Sequence, residues 1–198
     1  LSRGLGDVYK RQNTDKICIF TDTGKMHTIK AVDIPLGRFR DKGTPVDNLS
    51  NYDSSQERML YVAPVGQLRS DRLLFVTKTS MCKLVEGAEF DVAKRTIAST
   101  KLADEDELIF IGSASEMEQI VLQSHGGCFL RFLTQEVSTM KKTALGVRGM
   151  KLADDDYLEH AYLLAGHQEY TISYHDKEYA LNKVRLAKRD TKGIKPRI

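Results

Sequence analysis

An internal repeat limits the folds open to this chain of 198 residues. The segment KLADEDELIFIG at 101–112 recurs as KLADDDYLEHAY at 151–162, fifty positions later. Strand–turn–strand patterns precede these segments, and their turns can be set in register, with spacings of 56, 46 and 50, at Thr23, Thr79, His125 and His175. A period of about 50 residues is typical of arrays in which each unit buries its apolar face against its neighbours.

Each unit has the pattern of a small set of β-strands. It begins with a short apolar run such as Leu73–Val76, then turn residues, then an alternating strand such as Met26–Ile29. Acidic turns at 104–107 and 154–156 precede a further apolar strand. Since no helical period is sustained, the pattern predicts an all-β, propeller-like disc of about four repeated four-stranded blades, the last one incomplete.

The repeat also predicts the domain organisation. We expect a single repeat domain over 13–198, with units at about 15–70, 71–115, 116–166 and 167–198. Residues 1–12 share no part of the pattern and have no apolar core of a secretory signal, so we expect them to be a non-native leader.

Composition excludes several classes of protein. Hydrophobic residues make up 41% of the chain, which is too many for a disordered chain. The apolar runs are far shorter than the roughly 20 residues that a membrane helix needs, so no membrane partner is expected. Three distant cysteines, without Cys-x-x-Cys spacing, argue against a disulfide framework and against a zinc site.

The formal net charge of +3 conceals a segregated charge pattern. Residues 139–151 contain four basic side chains and no acidic one, and residues 186–198 contain five basic and one acidic. All four residues at 104–107 are acidic. In a disc of repeats, equivalent positions lie on one ring, so the pattern predicts a basic belt that holds phosphates and a separate acidic zone that repels them.

Three segments carry ordered motifs. The first unit contains IFTDTGKMHTIKAVDIPLGRFRDKGTPVDNL, with a glycine turn, a lysine-bearing strand, Ile-Pro, an arginine-rich loop and K-G-x-P-x-x-N-L. Later units contain TALGVRGMKLADDD and KRDTKGIKPRI. Over Asp15 to Ile198 the sequence resembles the C-terminal domain of the A subunit of the bacterial type IIA topoisomerases, which are DNA gyrase and topoisomerase IV. The resemblance implies a β-pinwheel, a propeller-like disc whose blades exchange strands.

The same resemblance implies sequence-nonspecific binding of duplex DNA, which is wrapped or bent around a basic rim and presented to a strand-passage core. It implies two protein partners, namely the ATPase B subunit of the enzyme together with the rest of its A subunit, and a location in the bacterial cytoplasm at the nucleoid. No cofactor is expected in this chain, because the family uses ATP and Mg through other domains. Its catalytic tyrosine lies in a separate part, so we expect no catalysis here. The glycine- and arginine-rich box Q-R-R-G-G-K-G of gyrase is absent from the sequence, which leaves gyrase and topoisomerase IV both open.

The expected DNA-binding residues are the lysines and arginines that recur in equivalent places of the four units. Each would donate to phosphate oxygens, with arginine able to do so through two N–H groups. In chain order they are Lys30, Arg38, Arg40, Lys42, Lys83, Lys94, Arg95, Arg131, Lys141, Lys142, Arg148, Lys183, Arg185, Lys188, Arg189 and Lys192.

Other functions have less support in the sequence. No motif joins a nucleophile to a base, no phosphate-cradling glycine loop is present, and the five histidines lack metal-ligand spacing. The acidic turns could offer oxygen ligands to a hard cation, although solvated hairpin tips are the commoner case. A protein-interaction scaffold, or a structural brace without strong DNA binding, is the alternative function.

Overall fold

The computed structural model describes residues 15–38, 40–166 and 168–196, and the leader expected at 1–12 lies outside them. In this part of the chain the strands are β1 (Lys16–Thr21), β2 (Lys25–Lys30), β3 (Met59–Pro64), β4 (Arg72–Thr77), β5 (Met81–Glu86), β6 (Thr96–Ala98), β7 (Leu108–Ser113), β8 (Gln119–Ser124), β9 (Phe129–Leu133), β10 (Val147–Arg148), β11 (Leu158–Leu164), β12 (Thr171–Tyr174) and β13 (Lys177–Ala180). One helical turn, α1, spans Val65–Leu68, and short 3₁₀ turns occupy Ala31–Asp33, Val46–Asn48, Gly87–Phe90, Thr134–Glu136 and Leu181–Lys183.

Neighbouring units share their sheets by exchanging a strand. The first sheet has the order β3-β1-β2-β6 and the second has the order β10-β5-β4-β7. Unit 2 therefore donates β6 to the first sheet, and unit 3 donates β10 to the second. The third sheet is β11-β8-β9, to which single bridges add Leu186 and Ile194 of unit 4. This exchange confirms the predicted all-β pinwheel, which the repeat period by itself does not distinguish from a propeller.

The fourth sheet is shorter in the described part of the chain. It consists of β12 paired with β13 in an antiparallel hairpin. The incompleteness expected of the last unit stays a prediction.

The apolar run of β4 is continuous because both faces of its sheet are buried. Leu73 and Phe75 pack with Phe20 in a core between the first and second sheets. Leu74 and Val76 point the other way, into a core between the second and third sheets. Burial of each such side chain contributes about 1.5–3 kcal/mol relative to exposure. Strand β4 thus joins two successive cores of the array.

The position of each strand in its sheet sets its position in the array. Strand β7 contacts both β3 and β11, which are its equivalents in the neighbouring sheets. These three strands therefore lie on the inner side of the array. The donated strands β6 and β10 stand at the opposite end of each sheet, so they form its outer edge.

The turn between β4 and β5 depends on the next unit. Ser80 is fully buried there and has a left-handed backbone, with φ of 72°. The Met150 amide donates to Ser80 Oγ at 2.7 Å, and the Gly149 amide donates to the Ser80 carbonyl at 2.6 Å. The donated segment of unit 3 therefore stabilises this hairpin as well as extending its sheet.

Candidate nucleic-acid interface

Basic residues gather on the segments that each unit donates to the sheet before it. We call this set the basic edge, and it consists of Lys94, Arg95, Lys141, Lys142, Arg148, Lys188, Arg189 and Lys192. The first two flank β6, the next three flank or lie on β10, and the last three precede the bridge at Ile194. Since donated segments form the outer edges of the sheets, these residues follow one side of the array.

Most of the residues expected to bind phosphate are exposed. Their side chains reach solvent, as contact with a phosphate requires, and these residues are Lys30, Arg38, Arg40, Lys42, Lys94, Arg95, Lys141, Arg148, Lys183, Arg185, Lys188 and Lys192. Arg38, Arg40 and Lys42 belong to the stretch of unit 1 that corresponds to a donated segment. Their phosphate contacts stay predictions.

Lys83 is a correction to that set, because its side chain is only 1% exposed. Its Nζ donates to the carbonyl oxygens of Lys142 at 2.7 Å and Ala144 at 2.6 Å, and lies 5.8 Å from the centre of the Phe75 ring. Burial lowers its pKa to about 8, although Glu89 opposes this shift. Lys83 holds a donated segment against the second sheet and does not face a phosphate.

Three further residues of the predicted set are half-buried and bind the neighbouring unit. The Arg131 guanidinium donates to the carbonyl oxygens of Asn182 and Val184. Lys142 Nζ donates to the carbonyl oxygen of Glu89 at 3.0 Å, and Arg189 Nε donates to that of Glu136, also at 3.0 Å. At least part of the donor capacity of each side chain is therefore used inside the protein.

Arg148 and Asp190 join the donated segments of units 3 and 4. The guanidinium donates twice, with Nε at 2.5 Å from Oδ1 and Nη2 at 3.2 Å from Oδ2. This pair raises the pKa of Arg148 and lowers that of Asp190. Both side chains are exposed, so we expect the pair to orient Arg148 more than to stabilise the fold.

Acids that precede the inner strands, two of them in the acidic turns, have a structural role that the charge pattern did not predict. Glu57, Asp106 and Asp156 each lie two residues before an inner strand and accept hydrogen bonds from the hairpin turn of the same sheet, which Thr23 donates in the case of Glu57. Thr79 Oγ1 donates to Asp106 Oδ2 at 2.6 Å, and the Gly126 amide donates to Asp156 Oδ1 at 2.9 Å. Partial burial opposes ionisation of Asp156, but the hydrogen bonds that its carboxylate accepts, the one from Gly126 among them, lower its pKa below the ordinary value. Their equal spacing from the inner strands was the sequence signal for this role.

A surface groove of about 880 Å³ separates the donated segments of units 2 and 3. Val92, Ile97 and Ala98 contribute aliphatic surface to it, and it is also lined by Lys94, Lys101 and Lys142. The groove therefore continues the basic edge between the first and second sheets.

Two cysteine thiols, those of Cys18 and Cys82, are buried. Burial raises the pKa of the Cys18 thiol to about 11 and that of Cys82 to about 12, which makes both poor nucleophiles. Within 15–38, 40–166 and 168–196, no three His, Cys, Asp or Glu residues are placed to hold a metal ion. The same residues include no helix with the length and apolar character of a membrane span.

Comparison with known proteins identifies similar sequences over most of the chain. A family model described as "DNA gyrase C-terminal domain, beta-propeller" matches residues 15–54, 71–115 and 118–165. The DNA gyrase A protein of Ureaplasma parvum is 27% identical over 184 residues, which cover 90% of this chain and 22% of that protein. The corresponding DNA topoisomerase 4 protein of Bacillus subtilis is 29% identical over 153 residues, or 76% of this chain and 19% of that protein. The chain thus spans about a fifth of the length of these curated relatives.

A solved structure shares the fold. The crystal structure of the C-terminal domain of DNA topoisomerase IV matches 92% of this chain and 58% of that chain, with a TM-score of 0.82 and 24% sequence identity. The likeness covers most of the chain and shows that the two proteins share a fold.

Proposed function

Since the chain belongs to the DNA gyrase C-terminal domain family, whose members take part in the control of DNA topology, we propose that it binds duplex DNA without sequence specificity and bends it along the basic edge. The bound DNA would be presented to the strand-passage core of a type IIA topoisomerase. Catalysis would belong to other parts of that enzyme, together with its use of ATP and Mg.

One observation carries this proposal, which is the repetition of basic residues on donated segments of successive sheets. Lys94 and Arg95 lie on the segment donated to the first sheet, and Lys141 and Arg148 lie on the segment donated to the second. Lys188 lies on the segment that bridges to the third sheet. A duplex that followed these segments would meet a new group of donors at each sheet. Such contacts go to the phosphate backbone, so they fix the path of the DNA and carry no sequence information.

The energetics of this arrangement favour a bent duplex. Each phosphate that a lysine or arginine neutralises releases condensed counterions, which is favourable at low salt for every sequence. Bending a site of 20–30 base pairs by 40–90° costs on the order of 1–6 kcal/mol. Contacts from three successive groups of the basic edge can offset a cost of this size.

The proposal is tested by the salt dependence of DNA binding. Affinity of the chain for a mixed-sequence duplex of about 40 base pairs should fall about 10³-fold or more between 50 and 200 mM salt, if six to ten phosphates are held. Duplexes of unrelated sequence should bind equally well. Absent or salt-insensitive binding would contradict the proposal and favour the scaffold or brace instead.

The partners of the parent enzyme follow from the same family membership. We infer that the chain works beside the remainder of a topoisomerase A subunit, with the ATPase B subunit, at the bacterial nucleoid. Relatives named as gyrase and as topoisomerase 4 proteins both match the chain, so we propose a gyrase or a topoisomerase IV as the parent enzyme.

A further inference from the structure

We propose, on the basis of the DNA-binding function above, that Glu89 and Glu136 are positioning residues which hold the donated segments of the basic edge in their DNA-binding conformation. Each acid lies third in the 3₁₀ turn that follows the second strand of its hairpin, in Gly87–Phe90 and in Thr134–Glu136. Both acids lie outside the acidic turns at 104–107 and 154–156.

Each glutamate takes part in a reciprocal pair of hydrogen bonds with one basic residue of the donated segment, one accepted by its carboxylate and one by its backbone carbonyl. The Lys142 amide donates to Glu89 Oε2 at 3.2 Å, and Lys142 Nζ donates back to the Glu89 carbonyl at 3.0 Å. The Arg189 amide donates to Glu136 Oε2 at 2.9 Å, and Arg189 Nε donates back to the Glu136 carbonyl at 3.0 Å. We call this reciprocal pair of hydrogen bonds the latch.

The two latches occupy the same place in the repeat although the local sequences differ. Lys142 lies five residues before Val147, which pairs with Cys82 of β5. Arg189 lies five residues before Ile194, which pairs with Phe129 at the equivalent position of β9. A coincidence of surface charges would not reproduce both the register and the direction of all four hydrogen bonds.

The first sheet has a looser version of this contact. Asp33 is third in its own 3₁₀ turn, and its Oδ2 lies 3.4 Å from Arg95 Nη2 in the segment donated by unit 2. An acid therefore meets a basic donated residue at each of the three sheets that receive a segment in the described part of the chain.

The latch gives a physical reason for acids to lie beside a surface that should bind phosphate. A carboxylate close to the duplex would weaken binding by simple Coulomb repulsion. The Glu89 side chain is only 16% exposed, whereas that of Lys141, beside the latch, is 82% exposed. Lys141 Nζ lies 3.4 Å from Glu89 Oε1. The acid thus fixes the backbone from which Lys141 projects, and it reduces the freedom that the lysine would lose on binding DNA.

The test compares two double variants that remove the same two negative charges. Glu89→Gln with Glu136→Gln keeps a carbonyl oxygen to accept each backbone amide, whereas Glu89→Ala with Glu136→Ala does not. We expect the Gln variant to bind a mixed-sequence duplex as tightly as the wild-type chain or more tightly. The Ala variant should bind about tenfold more weakly, which corresponds to about 1.4 kcal/mol.

Amide hydrogen exchange provides the second measurement. Exchange at Lys142 and Arg189 should be faster in the Ala variant than in the Gln variant, and thermal unfolding checks that both variants are folded. If the Ala double variant does not fold, Glu136→Ala is compared with Glu136→Gln by the same measurements. Equal DNA affinity of the Ala and Gln variants would overturn the inference, since charge alone would then account for both.

A different result would contradict the proposed function, namely that the wild-type chain does not bind DNA at all. In that case amide exchange still tests the latch itself. Unchanged exchange at Lys142 and Arg189 in the Ala variant would refute it.

Discussion

At the scale of single residues, Lys83 combines a buried charge with a contact between units. Its ammonium group is enclosed between the second sheet and the segment that unit 3 donates, where it donates to the carbonyl oxygens of Lys142 and Ala144. Desolvation of the charge lowers its pKa to about 8 in the folded protein, from 10.5 in a solvated lysine. The folded protein therefore releases this proton at a lower pH than the unfolded chain does.

This difference predicts how stability changes with pH. As pH rises through about 8 the folded state loses the Lys83 proton while the unfolded state keeps it, so Lys83 makes the free energy of unfolding increase. The Cys18 and Cys82 thiols act in the opposite direction near pH 9 and above, because their pKa values are raised on folding. Comparison with Lys83→Met separates the two effects, since both proteins contain the same thiols.

Urea unfolding of the wild-type chain and Lys83→Met measures the effect. The free energy of unfolding of the wild-type chain, relative to the variant, should increase by about 1 kcal/mol between pH 7 and pH 9. A relative stability that stays constant over this range would show that Lys83 is not desolvated.

At the scale of elements, the donated segments depend on close backbone packing. Gly146, just before β10, has φ of +109°, and a Cβ there would lie 2.7 Å from the carbonyl oxygen of Cys82. Only glycine accommodates both the backbone conformation and this close approach. The docking of the segment on β5 therefore depends on the absence of a side chain at this position.

Replacement of this glycine should weaken strand exchange. Gly146→Ala is expected to lower the free energy of unfolding by about 1–3 kcal/mol, because of backbone strain and steric overlap. Gly66→Ala is the matched control, since a Cβ at Gly66 meets no atom within 4 Å. Its effect should stay below about 1 kcal/mol. Equal denaturation midpoints for the two variants would contradict this account of the donated segment.

The elements also differ in how far sequence could predict them. The apolar runs of β4 and β8 have a clear pattern, because both faces of each strand are buried between neighbouring sheets. The donated strands β6 and β10 have only three and two residues and no apolar period, so nothing local indicates their partners. That exchange was implied only by the family resemblance.

The candidate site also contains residues that the sequence could predict and residues that it could not. Exposed basic residues such as Lys94 and Lys188 could be identified from their clustering in the repeat. The burial of Lys83 could not, because it results from contact with a segment some 60 residues later in the chain. The latch acids were missed for the same reason, since a lone Glu in a polar segment has no signature until its partner is known.

At the scale of the whole molecule, the fold separates charges that the net charge of +3 conceals. Inner strands contact one another, donated segments form outer edges, and the acids before the inner strands bind the hairpin turns. Because each sheet repeats this arrangement, basic residues of successive units follow one side of the array. The central claim is that this side holds the DNA.

That claim is tested most directly by comparing two variants that carry the same change of charge at different places on the surface. The triple variant Lys94→Glu, Lys188→Glu and Lys192→Glu reverses exposed charges on donated segments. The control Arg58→Glu, Arg69→Glu and Lys177→Glu reverses three exposed charges outside those segments. At equal net charge and salt, the first variant should bind a mixed-sequence duplex at least about tenfold more weakly than the control, since it loses phosphate contacts as well as net charge. Equal affinity of the two variants would contradict a DNA path along the basic edge.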